Sequence, residues 1–302
     1  MVISVAIATY NGEKYIEEQL LSILSQTTLP NEIIICDDCS TDSTVEIIKN
    51  ILLSKNIYFE IIVNEFNLGY THNFLKAISL TKGDLIFISD QDDVWFKNKI
   101  STICDLFTKN PDKHVFINDT FLVDVNLNKT GQTKLHTIKK IFNNDSQFVA
   151  GCCTAISGDL LKLFSPIPND YSYDEWIHYL GSITDTRIVI DIPLQLYRRH
   201  GGNTSNVIYN SLERKNYILY LYLRFKRVFN FDVDKKIKYL NRQLLATLFI
   251  KNVFMDGNLK NHFQNIVEIQ KKIDNKIQII NKELKLYNSK FFKFLFFKPP
   301  LS

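Results

Sequence analysis

The sequence predicts an α/β protein with a mostly parallel central sheet, helices on both faces and a separate helical segment at the C-terminal end. Three observations carry that reading. Apolar strand-like runs alternate with helix-period segments over the first 95 residues, polar clusters recur just past the ends of those runs, and from about Ser205 long helical patterns take over. Parallel strands need crossover connections, so such alternation implies a parallel sheet covered on both sides. The expected division is residues 1–204 and 205–302.

The elements follow in order. Val2–Ala8 is an apolar run, and after Asn11-Gly12 the residues Ile16, Leu20, Ile23 and Leu24 fall at helical spacing. Glu32–Cys36 reads as a buried strand, and Ser43–Leu53 as a helix with Val45, Ile48 and Leu52 on one face. Tyr58–Val63 is a third strand, Tyr70–Thr81 a third helix and Asp84–Ser89 a fourth strand. Asn11, Asp37-Asp38, Asn67 and Asp90–Asp93 lie just past the C-terminal ends of their strands, the edge at which open α/β sheets bind ligands. Residues 114–200 are more mixed, with strand-like His114–Val125 and Arg187–Ile192 around a turn-rich middle that suits acceptor-side structure. In the C-terminal region Phe263, Ile266, Ile273, Ile277, Ile280, Leu284 and Tyr287 step by three, four or seven, a face for packing on the domain or a partner.

Composition bounds the function. With 302 residues, 45% hydrophobic and 23% charged, the chain suits one large or two modest globular domains. It has no apolar run of membrane-spanning length and its first residues lack a signal-peptide pattern, so a cytoplasmic protein is expected. Five cysteines are too few and odd in number for a disulfide framework, and reduced thiols are the default. The net charge of +4 is uneven: residues 201–302 hold 19 Lys+Arg against 7 Asp+Glu, leaving 17 against 25 on residues 1–200. The tail Lys290–Lys298 is aromatic and basic, which fits peripheral contact with anionic lipid at the inner face of the cell membrane and equally fits the cover of a hydrophobic groove. No nucleic-acid partner is expected, because the N-terminal cleft is acidic and no binding motif for DNA or RNA is present.

Asp90-Gln91-Asp92-Asp93 puts three carboxylates within four residues after an apolar strand, a self-repelling group unless a cation sits there. Hard carboxylate oxygens suit Mg²⁺ or Mn²⁺, which in turn neutralise a diphosphate. The loop glycine and terminal Glu of an EF-hand are missing. Among Asp37, Asp38 and Asp42, one carboxylate can accept from a base imide or ribose hydroxyl while others cap the next helix. Cys36 and Cys39 have dithiol spacing, but the carboxylates between them raise thiol pKa values, against redox use. Neither a G-x-G-x-x-G after the first strand nor a P-loop is present, so phosphate must be held another way.

Ala8-Thr9-Tyr10-Asn11, Asp37 to Asp42, Asn67-Leu68-Gly69 with Asn73, and Asp90 to Trp95 together resemble the family 2 glycosyltransferases of GT-A fold, over residues 2–204. The resemblance implies a nucleotide-diphosphate sugar donor, dTDP- or UDP-linked, and an Mn²⁺ or Mg²⁺ cofactor. It places the backbone of Ala8, Thr9 and Tyr10, together with Asp38, at the base and ribose, Asp90 at the ribose or metal, Asp92 at the metal and Asp93 on the donor-sugar side. Asn67, Gly69, Asn73 and Gln91 join the donor site on the same pattern. Gly151-Cys152-Cys153-Thr154 resembles the loop under the acceptor, and Tyr173-Asp174-Glu175-Trp176 the segment carrying the catalytic base.

Asp174 is the expected base, with Glu175 the adjacent competitor; neighbours on a helix point about 100° apart, so one faces the cleft. Glu175 and Trp176 are then expected beside the acceptor with Gly151 and Thr154. Tyr197 to Asn203 is similar to the tail motif of rhamnosyltransferase-like members, which makes His200 a metal ligand and sets Arg198 or Arg199, with Arg199 the choice, on the diphosphate. The other five histidines are read as structural. Two departures stand out: an extra acid in the carboxylate group, and Cys39 where the family often has glycine or asparagine.

The expected activity is inverting, metal-dependent transfer of a sugar, rhamnose from dTDP or a hexose from UDP, to a lipid-linked oligosaccharide acceptor in surface-polysaccharide synthesis (O-antigen or capsule). The alternatives are a nucleotide-sugar-binding assembly factor without turnover, opposed by the intact Asp90, Asp92 and Asp174, and a nucleotidyltransferase, opposed by the absence of a Gly-rich basic loop after the first strand.

Overall fold

The computed structural model describes residues 1–142, 150–163, 167–201, 203, 233–255 and 265–289. The chain divides into two compact units, Met1–Asn203 and Thr204–Ser302.

The first unit opens with β1 (Ile3–Thr9), α1 (Ile16–Leu24), β2 (Glu32–Asp37), α2 (Thr44–Leu52), β3 (Tyr58–Val63), α3 (Tyr70–Leu80) and β4 (Leu85–Ser89). These four strands are all parallel, in the order β3-β2-β1-β4. β1, β2 and β4 are buried along their whole length, as strands covered on both faces are, whereas the edge strand β3 alternates. Ile3, Val5 and Ile7 of β1 join Ile16, Leu20 and Ile23 of α1 and Ile48 and Leu52 of α2 in one core. The return from β3 to β4 runs the other way across the sheet, so the right-handed crossover rule puts α3 on the opposite face, with Phe74, Ala77 and Ile78 buried there.

Beyond β4 the sheet becomes mixed. The elements are β5 (Val94–Trp95), α4 (Lys99–Lys109), β6 (Val115–Val123), β7 (Lys129–Thr133), α5 (Lys134–Phe142), a 3-10 turn at Gly151–Cys153, β8 (Thr154–Ser157), α6 (Gly158–Leu163), α7 (Tyr173–Ile183) and β9 (Arg187–Arg198). β8 is antiparallel to both β4 and β6, β9 is parallel to β6, and β5 closes the far edge antiparallel to β9. The mostly parallel expectation thus describes β1–β4, and the added half is antiparallel at most of its joints. β9 also runs past the expected end at Ile192, because Pro193 sits at a register irregularity where no ladder N–H is required.

In the second unit α8 (Val233–Met255) and α9 (Ile266–Asn288) pair antiparallel around Leu240, Ile280 and Leu284, with Lys236–Glu283 and Lys251–Asp274 ion pairs at 3.3 and 2.7 Å. Phe263 and the tail Lys290–Lys298 lie outside the described residues. Among the described residues no helix is long and apolar enough to cross a membrane.

Candidate active site

The ends of β1, β2 and β3 are tied together by buried polar side chains. Asp38, 3% exposed, accepts hydrogen bonds from Asn64 Nδ2 (2.8 Å), Leu68 N (2.7 Å) and Gly69 N (2.9 Å), so its carboxylate shapes the loop that leads into α3. Asn67 braces the same loop, donating to the Asp38 carbonyl and accepting from Gly69 N. Gly69 has φ 79°, a value its missing Cβ allows. Asn73, expected at the donor, is buried instead between strands: Nδ2 donates to the Cys36 and Thr9 carbonyls, and Oδ1 accepts from Asn64. Thr9 likewise turns inward and donates to Asp37 Oδ1 at 2.7 Å, while Ala8 is 9% exposed. Tyr10, half exposed, is left to present a ring at this edge. Asn64 was missed by the motif reading, although it too lies just past a strand end. Asp42, one residue ahead of the N-cap Ser43 of α2, accepts from Thr44 N at 3.0 Å.

Cys39 has φ 66°, the backbone region for which glycine and asparagine are suited. Burial pushes the Cys36 thiol up to about 11, and the Cys39 thiol is raised as well, which keeps both protonated at neutral pH.

Gln91 proves to be a clamp. Its Oε1 accepts from Tyr10 N at 2.8 Å and its Nε2 donates to the Tyr10 carbonyl at 3.0 Å, joining the carboxylate motif to the β1 loop. A Cβ on Gly12 would collide with this amide, so a larger residue there would displace the clamp. The three acids around Gln91 part company. Asp93 is fully buried and accepts from Gln195 Nε2 (2.8 Å) and Arg198 N (3.3 Å) of β9, so it faces the scaffold rather than the donor-sugar side. Asp90 gathers with Asp93 and Cys152, their ligand atoms within 4.8 Å of one another. Burial, then the charges of Asp92 and Asp174, lift the Asp90 carboxyl to about 7.

Two buried cations that carry no motif signal answer this charge. Lys99 donates to the Cys152 carbonyl (2.9 Å) and to Gln195 Oε1, lies 4.0 Å from the Trp95 ring centroid and is lowered by burial to about 8. Lys134, 8% exposed, helps to hold the Asp90 pKa down.

Asp92 lies against His200. His200 Nε2 lies 2.8 Å from Asp92 Oδ2, and Asn203 Nδ2 reaches the same oxygen at 3.1 Å. Two side chains 108 residues apart thus converge at the end of β9. Asp90 belongs to the trio described above, and the charge of Asp92 reaches it. Carboxylate oxygens with one imidazole nitrogen are a donor set that fits Mn²⁺ or Mg²⁺. Arg198 is 3% exposed and pinned to the Asp92 carbonyl (2.9 Å), the Val125 carbonyl (2.7 Å) and Glu18, which removes it from the diphosphate. Arg199 is the half-buried one of the two.

On the other flank α7 begins with Ser172 as a capping box: Ser172 Oγ accepts from Glu175 N, and Glu175 Oε2 accepts from Ser172 N. Glu175 is therefore exposed and held at the cap, a correction to its expected place beside the acceptor. Asp174 is the half-buried one of the two; its Oδ1 accepts from Ser172 Oγ (2.6 Å) and Glu175 N (3.0 Å), and its charge reaches Asp90 and Tyr173. Trp176 is fully buried among Tyr171 and Tyr179 and so is a wall of the core, not an acceptor contact. Thr154, 1% exposed, is likewise turned inward to the Ala150 carbonyl and to His178 Nε2. Gly151 leaves room for the Tyr173 hydroxyl, which a Cβ would strike, and Tyr173 stacks on Phe74 at 4.4 Å.

The glycosyl transferase family 2 model matches residues 4–164. The dTDP-rhamnosyl transferase RfbG of Shigella flexneri is 44% identical over 108 residues, 34% of this chain and 37% of its own length. The abequosyltransferase RfbV of Salmonella typhimurium is 33% identical over 183 residues, 58% of this chain and 54% of its own. The chain thus spans about half or less of these two relatives. The S. aureus protein TarS, solved with UDP, superposes with a TM-score of 0.56 at 16% identity, covering 96% of this chain and 93% of that one. The mannosyltransferase PcManGT of Pyrobaculum calidifontis, solved with GDP-Man and Mn²⁺, gives 0.54 at 13% identity over 97% and 82%. At such identities the likeness is one of fold, and that fold is GT-A. With the family pattern running through more than half of its residues, from β1 to α6, the chain belongs to glycosyl transferase family 2.

Proposed function

We propose that this protein is an inverting glycosyltransferase that moves a sugar from a nucleotide diphosphate, dTDP-rhamnose or a UDP-hexose, to a hydroxyl of a growing surface-polysaccharide acceptor. The observation that carries the reading is the convergence of the carboxylate motif with His200, whose Nε2 lies 2.8 Å from Asp92 Oδ2; the charge of Asp174 reaches Asp90 as well. Both recorded hydrogen bonds to Asp174 fall on Oδ1, so among the described residues Oδ2 is the oxygen available to a substrate. As base it takes the proton of the acceptor hydroxyl while that oxygen bonds to the anomeric carbon and the bond to the diphosphate breaks. The diphosphate leaves as an anion, so no general acid is needed. Asp92 and His200, with Asp90 nearby, would hold Mn²⁺ or Mg²⁺, which supplies positive charge to the leaving diphosphate. Tyr10 and the Asp38-shaped loop form the nucleotide side, and Arg199 is the cation for the diphosphate.

The names of the relatives support the acceptor class: besides rhamnosyl and abequosyl transferases they include WfgD of Escherichia coli, named as a glucosyltransferase acting on GlcNAc-diphosphoundecaprenol and 24% identical over 217 residues. The basic C-terminal region, with 19 Lys+Arg against 7 Asp+Glu, fits peripheral contact with an anionic membrane that carries such a lipid. The test is nucleotide release and product mass with dTDP-rhamnose, UDP-glucose and UDP-N-acetylglucosamine, a diphospholipid-linked GlcNAc acceptor and Mn²⁺. One donor is expected to turn over and EDTA to abolish it. Full activity in EDTA overturns the metal assignment, and no turnover with any nucleotide sugar overturns the reading.

A further inference from the structure

Two described contacts orient the His200 ring. The Nε2 contact with Asp92 fixes one edge of the imidazole, and the ring of Tyr15 fixes its plane, with centroids 4.7 Å apart and planes at 27°. Tyr15 immediately precedes α1, and Glu18 follows three residues later on the same face. Both touch one partner: the Arg198 guanidinium carbon lies 4.8 Å from the Tyr15 ring centroid, and Arg198 Nη2 pairs with Glu18. That guanidinium also donates from Nε to the Asp92 carbonyl. The start of α1 therefore grips His200 through a ring and the Asp92 backbone through an arginine.

We propose that Tyr15 is the positioning residue of the Asp92–His200 pair. A hydrogen bond fixes the position of one ring nitrogen, whereas a stacked ring restrains the plane of the imidazole and keeps Nε2 aimed at the Asp92 carboxylate. Glu18, acting through Arg198, keeps the Asp92 backbone in register with the stack. What the pair is for rests on the metal reading above, whereas the stack itself is independent of any cation. Groups that orient a metal-binding histidine typically change affinity by about 10–100-fold when removed.

Two measurements on the full chain test this. In metal-free protein, Tyr15→Leu is expected to move the His200 Cδ2 and Cε1 proton resonances downfield by removing the ring current, and Tyr15→Phe to restore them. In a Mn²⁺ titration followed by the EPR signal of free ion, Tyr15→Leu weakens binding about tenfold and Tyr15→Phe recovers it. A Tyr15→Leu protein with a lowered metal-free melting point passes the test to Glu18→Gln, which must weaken Mn²⁺ binding in the same direction. Unmoved His200 resonances, or wild-type affinity in Tyr15→Leu or in that Glu18→Gln, overturn the proposal. If the wild type binds no Mn²⁺, or Asp92→Asn and His200→Ala bind it as well as the wild type, the metal reading falls, and the resonances alone decide whether Tyr15 orients His200.

Discussion

Along β1–β4 the polar side chains at the strand ends bond largely to one another and to backbone: Asp38 to Asn64 and two loop amides, Asn73 to two strand carbonyls, Gln91 to both backbone groups of Tyr10. In residues 150–184 the buried places are taken by rings, with Trp176, Tyr171 and Tyr173 below 10% exposed, and one carboxylate, Asp174, stands half-exposed at a helix start. On the proposed reading the first region is a preorganised cradle in which structure and binding share the same atoms. On the same reading the second separates them, because the apolar wall supports a single reactive group, Asp174, whose Oδ1 alone is used at the helix start among the described residues. A substitution on the first side is therefore expected to cost stability and binding together, and one on the second side to cost one or the other.

The sharpest test of that separation is Asp174→Asn, expected to lower kcat by about a hundred- to ten-thousandfold with nucleotide affinity and melting point unchanged. Its neighbour Glu175→Gln is expected to change kcat by less than about twofold and stability by about 0.5 kcal/mol, the scale of a weakened cap. Equal kcat losses in the two variants would return the base to an open question between them. Next in size, Trp176→Ala should cost about 3–5 kcal/mol in denaturant unfolding, whereas Trp176→Phe should retain the acceptor KM. A KM rise in Trp176→Phe with unchanged stability would restore the ring to the acceptor site. The smallest effect probes the cradle: Cys39→Val at φ 66° should lose about 1–2 kcal/mol, and Cys39→Gly should stay within about 0.5 kcal/mol of the wild type. A loss in Cys39→Gly as large as in Cys39→Val would assign the cost to the Sγ contact with the Asn64 carbonyl, 2.8 Å long, rather than to the backbone.

The parallel half of the fold was legible because each strand is a continuous apolar run with its polar residue at the C-terminal end, a local pattern. β5 is two residues long, and β9 crosses Asp191 and Pro193, so neither shows a period that a window can detect. Within the site, Asp92 with His200 was readable from two motifs. Ser172 and Glu175 at capping-box spacing, and Tyr173, Trp176, Ile177 and Leu180 at helical spacing, were signals that already placed Glu175 at a cap and Trp176 in a core. The contacts of Tyr15, Lys99 and Asn203 join residues far apart in the chain, and one sequence without relatives carries no trace of such pairings.

β9 lies inside the sheet, between β6 and β5, and its end delivers Arg198 and His200 to Asp92, at an edge whose β1–β4 part precedes them by more than a hundred residues. During synthesis that edge leaves the ribosome long before the strand that completes it, and pairing across so many residues is slow. Chains halted or clipped ahead of β9 hold Asp38 and Asp90 but lack His200. Completion of the last strand thus sets the moment at which a newly made molecule acquires the Asp92–His200 pair.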